Sequence, residues 1–335
     1  MDTVYSNLCV LGGGAWGTAL AQTARRAGRS VMMWAREPEV AEAINTRHEN
    51  TDFLPGVPLD PALRASASLG EALAGAEAVL VVCPAQALRA VLAAAGPVWP
   101  QGAPMVLCAK GIEQGSGLLM TEVAAAALPE VAQAVLSGPT FAHEVALGRP
   151  TAVTVAATDP DLAERVVATL GTKTFRPYAG TDPVGAEIGG AVKNVLAIAC
   201  GIVEGLGLGD NARAALLTRG LAEIMRLGRA RGADPATLAG LSGLGDLILT
   251  ATSTQSRNFS LGLALGEGQA LATLLDGRRS VAEGVHTARA VGALADRLGV
   301  EMPICQVVNA LLEGTQDVSA AMDALLSRPL RTEID

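Results

Sequence analysis

The chain has 335 residues, a length that suits two domains better than one. Half of the residues are hydrophobic and only 3% are aromatic, so the interior must be built from Ala, Leu, Val and Ile; a formal net charge of −8 without a Lys/Arg-rich run argues against nucleic acid as the main partner. Five scattered cysteines (Cys9, Cys83, Cys108, Cys200, Cys305) without a C-x-x-C pair indicate neither a disulfide framework nor a zinc site and suit a reducing cytoplasm.

Three histidines lack metal-ligand spacing, no metal site is expected, and no serine or cysteine nucleophile motif occurs, which argues against covalent hydrolysis. No uninterrupted apolar segment long enough to span a bilayer is expected, so the chain reads as soluble.

The first element is the apolar run Leu8–Leu11, which suits a buried parallel strand, and residues 15–27 read as a helix. Between them Gly12, Gly13, Gly14, Ala15, Trp16 and Gly17 fit G-x-G-x-x-G across a strand-to-helix turn. Gly12 permits the sharp turn, Gly14 removes a side chain where a pyrophosphate would lie, and Gly17 lets the helix pack close to the strand. The free N–H groups and positive dipole end of the helix would meet that pyrophosphate. The glycines alone are also compatible with a purely structural turn.

A second strand, Ser30–Trp34, ends at Ala35-Arg36-Glu37, where such a fold presents a residue to the adenosine ribose. Arg36 would favour a 2′-phosphate and tilts the reading toward NADP(H), whereas Glu37 could accept from a 2′-hydroxyl, so cofactor preference stays open. Further strands are expected at 78–82, 105–108 and 134–136, with helices between them, which implies a parallel sheet with helices on both faces. Strands at 151–156 and 174–177, flanking a helix from Pro160, would extend one edge.

The carboxyl ends of these strands are where ligands bind. Lys110 directly follows an apolar strand in Cys108-Ala109-Lys110-Gly111, where a cation could hold an anionic substrate or polarise a carbonyl. Ser137-Gly138-Pro139-Thr140-Phe141-Ala142 puts glycine, a hydroxyl and free N–H groups at the same rim, or makes a plain turn into a helix capped by Thr140.

After Asp182-Pro183 strand-like runs give way to helices, placed at 183–203, 211–231, 235–240, 244–252, 258–267, 270–275, 285–299 and 304–312, with a Gly-rich loop at 204–210. The boundary there divides the chain into 1–182, a doubly wound, mostly parallel Rossmann-type α/β domain, and 183–335, an all-α substrate domain. In GAEIGGAVKN a helix would align Ala186, Gly190, Lys193 and Ala197 on one face. Two interior glycines cost about 1 kcal/mol each relative to alanine, so a close neighbour should compensate. Burial and a second cation would lower the Lys193 pKa toward that of a general base; the alternative is a snorkelling surface lysine. Asp246 and Thr250 fall on one helical face, and Ser256, Arg257 and Asn258 begin the next helix either as a phosphate cradle or as an N-cap without a ligand.

Taken in order, GGGAWGTAL, CAKG, SGPTFAHEV, GAEIGGAVKN, NARAALLTRGLAEI, LSGLGDLILT, STQSRN and VAEGVHTA resemble the bacterial NAD(P)-dependent glycerol-3-phosphate dehydrogenase family over nearly the full length. The resemblance implies hydride transfer between NAD(P)(H) and glycerol 3-phosphate or dihydroxyacetone phosphate, supplying glycerol 3-phosphate for phospholipid synthesis, in a cytoplasmic homodimer. It implies Lys193 as proton acceptor with Asp246 holding it and Lys110 polarising the oxygen. The implied substrate contacts are Lys110, Gly138, Thr140, Lys193, Asp246, Thr250, Ser256, Arg257 and Asn258. The implied dinucleotide contacts are Ala15, Trp16, Arg36, Lys110, Ala142, Arg257, Val281 and Glu283, beside Gly12, Gly14 and Gly17. Thr140 stands where the family commonly has serine and keeps the hydroxyl; Ala251 stands where cysteine is common. A 3-hydroxy-acid dehydrogenase would share the plan and the lysine but gain nothing from Arg257. A silent dinucleotide sensor would have no reason to keep Lys193, Asp246 and Lys110 together.

Overall fold

The computed structural model describes residues 4–275 and 282–327, with Pro329 and Thr332. Its first half runs β1 (Asn7–Leu11), α1 (Ala15–Arg26), β2 (Ser30–Trp34), α2 (Pro38–Arg47), β3 (Arg64–Ser66), α3 (Leu69–Leu73), β4 (Ala78–Val81), α4 (Leu88–Ala95), β5 (Met105–Leu107), α5 (Met120–Ala127), β6 (Gln133–Ser137), α6 (Ala142–Ala146), β7 (Thr151–Ala156), α7 (Pro160–Leu170) and β8 (Phe175–Gly180). The strands form one sheet in the order β3-β2-β1-β4-β5-β6-β7-β8, parallel except where β7 runs antiparallel to β6. The central strands β4 and β5 are buried along their whole length, as expected of strands covered on both faces. Chain order reverses between β1 and β4, which opens a ligand crevice at their carboxyl ends.

The second half is helical: α8 (Pro183–Gly205), α9 (Gly209–Ala230), α10 (Pro235–Leu238), a π-type turn at Leu241–Gly245, α11 (Asp246–Ala251), α12 (Arg257–Gly266), α13 (Leu271–Leu275), α14 (Glu283–Leu298), α15 (Pro303–Leu312) and α16 (Val318–Leu326). Helix α8 starts where Asp182 accepts from the Gly185 N–H at 2.8 Å and Pro183 supplies a fixed first-turn φ. It is the axis of this half, buried continuously from Gly185 to Val203 and packed by α9, α11, α12 and α14. By length and hydropathy alone it could cross a membrane, which corrects the expectation that no segment has spanning length; here the whole span lies inside the protein.

Several boundaries differ from the sequence reading. Strand β3 was not foreseen, because three residues, Arg-Ala-Ser, carry too little pattern. Helix α16 was not foreseen either, although its N-cap Asp317 accepts from the Ala320 N–H at 2.7 Å. Helices α8 and α9 consume most of the expected 204–210 loop, leaving residues 206–208. The segment read as one helix over 244–252 is split, its start absorbed into the π-type turn.

Candidate active site

The glycine turn is shaped by close approach. A Cβ on Gly12 would lie 2.8 Å from the Val82 carbonyl oxygen across the crevice, at a φ of +135° that side chains rarely adopt, and one on Gly17 would collide with the Gly12 carbonyl. Gly14 differs: a Cβ there would meet nothing within 4 Å, so the space above it is open. Gly14 is the N-cap of α1 and no side chain caps that helix, which leaves its first-turn N–H groups for an anion. Asn50 braces the turn from below, donating to Gly13 O at 2.7 Å and Thr18 Oγ1 at 2.8 Å. Ala15, Trp16 and Ala142 pack partly buried against the same core cluster, and the buried indole Nε1 of Trp16 has no partner among the described residues.

Arg36 lies just beyond β2, exposed, and donates twice to Glu37 Oε1. Glu283 begins α14 with its buried Oε2 beside Gly111 and without a partner among the described residues. Burial pushes its carboxyl pKa up, opposed by the Ala85 backbone and the Arg257 charge. Val281, expected to contact the dinucleotide, lies outside the described residues.

Beyond β5 and β6 the structure brings together the residues singled out for chemistry. Lys193 Nζ donates to Asp246 Oδ1 at 2.5 Å and to Thr250 Oγ1 at 2.8 Å. Lys110 Nζ donates to the other carboxylate oxygen, Oδ2, at 2.8 Å and to Gly138 O at 2.9 Å. One carboxylate therefore spans two ammonium groups. Lys193 is 5% and Asp246 0% exposed, so the surface-lysine alternative does not hold. Burial pulls the Lys193 pKa down from 10.5 to about 7; the Asp246 charge opposes this and the Lys110 charge adds to it.

The two helix glycines explain how this fits. A Cβ on Gly189 would lie 2.6 Å from Ser242 O in the π-type turn that leads into Asp246, and one on Gly190 would lie 2.8 Å from Ser137 Oγ and 3.5 Å from Lys110 Cγ. The stem of Lys110 thus crosses α8 at Gly190. Gly138 is equally constrained, since a Cβ would lie 2.9 Å from the Val153 Cα. Thr140 Oγ1 donates to Gly138 O at 3.2 Å rather than capping a helix; the N-cap of α6 is Phe141.

The Ser256-Arg257-Asn258 turn is only partly what the sequence led one to expect. Ser256 Oγ is the N-cap of α12, accepting from Phe259 N–H at 3.2 Å. Asn258 is also committed: Nδ2 donates to Asn194 Oδ1 at 2.9 Å, while its Oδ1 accepts from the Gly284 N–H at 3.0 Å. Arg257 is exposed at the mouth of this cluster. The chain Asn194–Asn258–Gly284 ties the lysine helix to the starts of α12 and α14. Asn194 was missed although it directly follows Lys193; a buried amide next to a buried lysine is the signal that could have found it.

Two family profiles match the chain, one described as the NAD-dependent glycerol-3-phosphate dehydrogenase N-terminus over residues 7–163 and one as the C-terminus over 182–323. A glycerol-3-phosphate dehydrogenase [NAD(P)+] of Rhodospirillum rubrum is 72% identical over 333 residues, covering 99% of this chain and 95% of that protein. The protein so described in Parvibaculum lavamentivorans is 57% identical, covering 99% and 100%. The crystal structure of glycerol-3-phosphate dehydrogenase from Coxiella burnetii superposes with a TM-score of 0.93 at 38% identity, covering 98% and 100%.

Proposed function

The chain belongs to the NAD-dependent glycerol-3-phosphate dehydrogenase family, and on that premise we propose how its own side chains conduct NAD(P)-dependent interconversion of glycerol 3-phosphate and dihydroxyacetone phosphate. The observation that carries the proposal is the buried Lys193–Asp246–Lys110 arrangement at the carboxyl ends of β5 and β6. Around the glycine turn, the open space at Gly14, the uncapped start of α1 and the unpartnered Trp16 Nε1 and Glu283 Oε2 fit a dinucleotide. A bound dinucleotide would supply or accept the hydride at C2 of the substrate.

In the oxidative direction the neutral Lys193 amine takes the C2 hydroxyl proton as the carbonyl forms; in reduction its ammonium returns that proton to the carbonyl oxygen. Asp246 fixes the position of Lys193 Nζ and of Lys110 Nζ with its two oxygens. The Lys110 ammonium stabilises negative charge developing on the C2 oxygen. Gly138, Thr140 and Thr250 line the substrate face. Arg257 supplies the phosphate with a guanidinium and α12 with its first-turn N–H groups, while Ser256 and Asn258 hold that helix start in place. Ala15, Trp16, Arg36, Ala142 and Glu283 meet the dinucleotide.

We also propose that residues 1–182 and 183–335 act as the dinucleotide and substrate domains. A cytoplasmic homodimer that feeds phospholipid synthesis is the wider reading; exposed Leu206, Leu208 and Ile248 on the helical half support the dimer. The direct test adds dihydroxyacetone phosphate to the purified chain with NADH or NADPH and follows the nicotinamide absorbance. Turnover is expected, and silence with both cofactors would overturn the assignment.

A further inference from the structure

Lys110 stands where the chain has already left the sheet. Strand β5 ends at Leu107, and a bond from Cys108 N–H to Val81 O at 2.9 Å continues its pairing with β4 for one residue more. Beyond that point the backbone is caught by a side chain. Gln86, half-buried in the turn Ala85–Ala87 that follows β4, donates from Nε2 to Ile112 O at 2.8 Å and accepts at Oε1 from Gln114 N–H at 3.0 Å. A residue in a parallel ladder holds its neighbour in the same way, taking the C=O of one residue and the N–H two residues on. The Gln86 carboxamide thus prolongs the β4–β5 pairing past the place where the two backbones part. Glycine makes the approach possible, since a Cβ on Gly111 would lie 2.6 Å from the Ala85 Cβ.

Lys110 directly precedes this clamp. Its Nζ reaches Asp246 Oδ2 and Gly138 O while its stem passes Gly190. An ammonium on a flexible four-carbon stem is placed only as well as the backbone that carries it. The other ties of the loop lie farther from the lysine. Arg89 donates twice to Glu113, at 2.9 and 2.8 Å, but its side chain is 44% exposed and such a pair is weak; Gln114 Nε2 reaches His286 O on α14 at 3.4 Å.

We propose that Gln86 is a positioning residue for Lys110: its carboxamide fixes the backbone of 110–114, so that the Lys110 ammonium sits where charge develops on the C2 oxygen. Gln86 acts through the lysine. The inference rests on the role given above to Lys110.

The test compares Gln86→Met, which keeps the bulk and removes both hydrogen bonds, with Gln86→Ala, each in the parent and in Lys110→Ala. Gln86→Met should lower kcat for dihydroxyacetone phosphate reduction by roughly tenfold in the parent, because small misplacements of a catalytic group are costly. In Lys110→Ala, where nothing is left to position, the same change should cost less than about twofold. A displaced Lys110 also lowers the Lys193 pKa less, so the rise of kcat/KM for glycerol 3-phosphate oxidation should move to higher pH in Gln86→Met. Gln86→Ala should match Gln86→Met in both respects. A parent-like kcat in Gln86→Met, equal fold losses in the two backgrounds, or a rise that stays in place overturns the role of Gln86. A loss in Gln86→Ala alone would assign the effect to bulk and overturn it as well. A parent-like kcat in Lys110→Ala would instead overturn the role of Lys110 and leave Gln86 nothing to act through.

Discussion

Lys193 Nζ and Asp246 Oδ1 meet at 2.5 Å across 53 residues of chain, one on α8 and the other at the start of α11. The contact exists because two glycines of α8 let the π-type turn and the stem of Lys110 come within a side chain's width of the helix. Asp246 is thereby shared between two cations.

Gly189→Ala tests this packing. Alanine should gain about 1 kcal/mol from helix propensity, yet its Cβ would lie 2.6 Å from Ser242 O, a backbone atom that cannot swing away. Overpacking of this kind costs about 1–3 kcal/mol. The expected result is a lower melting temperature together with a lower kcat, since the turn that moves carries Asp246. An alanine variant more stable than the parent would show that the close approach is absent.

Arg257→Ala tests the phosphate assignment. Removing an exposed guanidinium should leave thermal stability unchanged while KM for dihydroxyacetone phosphate rises by roughly tenfold or more. Unphosphorylated dihydroxyacetone provides the control: its slow turnover should be the same in parent and variant. Equal losses on both substrates would move the phosphate site elsewhere.

Glu187 gives a prediction about pH and stability. It is buried in α8 and accepts from Thr121 N–H at 2.8 Å and Thr121 Oγ1 at 2.7 Å, joining the helical half to α5. Burial pushes its pKa up from 4.5 to about 7, with the two Thr121 hydrogen bonds opposing. The unfolded carboxyl releases its proton near 4.5 and the folded one only near 7, so the folded state holds more protons between those values. Its contribution is complete below about 4.5 and is lost as pH rises through about 7, by at most about 3 kcal/mol. Melting temperature followed from pH 5 to 8 should therefore fall more steeply for the parent than for Glu187→Gln. Parallel curves would mean that Glu187 titrates as it does in the unfolded chain.

A residue's role is legible in sequence where one residue type has one physical job. Lack of a side chain is a local property, and the close approaches at Gly12 and Gly17 match the turn and packing roles read for them. Lys193 was singled out by the small residues around it, and its burial follows from them. What could not be read was partnership over distance. Lys110 and Asp246 are 136 residues apart, and only the fold puts Lys110 on the carboxylate that Lys193 also holds. That Asn258 also links Asn194 to Gly284 could not be read, because the two partners come from separate helices. Glu187 drew no notice because its partner Thr121 lies 66 residues away on α5. The π-type turn was missed because Leu-Ser-Gly-Leu-Gly carries no periodicity that separates it from the α-helix it precedes.

The most direct test of the account is the pH profile of kcat/KM for glycerol 3-phosphate oxidation in the parent and in Lys193→Ala, with kcat compared between the two. With the Lys193 pKa brought down to about 7, the neutral amine that accepts the C2 hydroxyl proton forms as pH rises through that value, so parent oxidation should climb through neutrality and then level off. Lys193→Ala should lose about 10²-fold or more in kcat and with it that rise. A variant with kcat near that of the parent, or one that keeps the rise through pH 7, would contradict the assignment of Lys193 as the base.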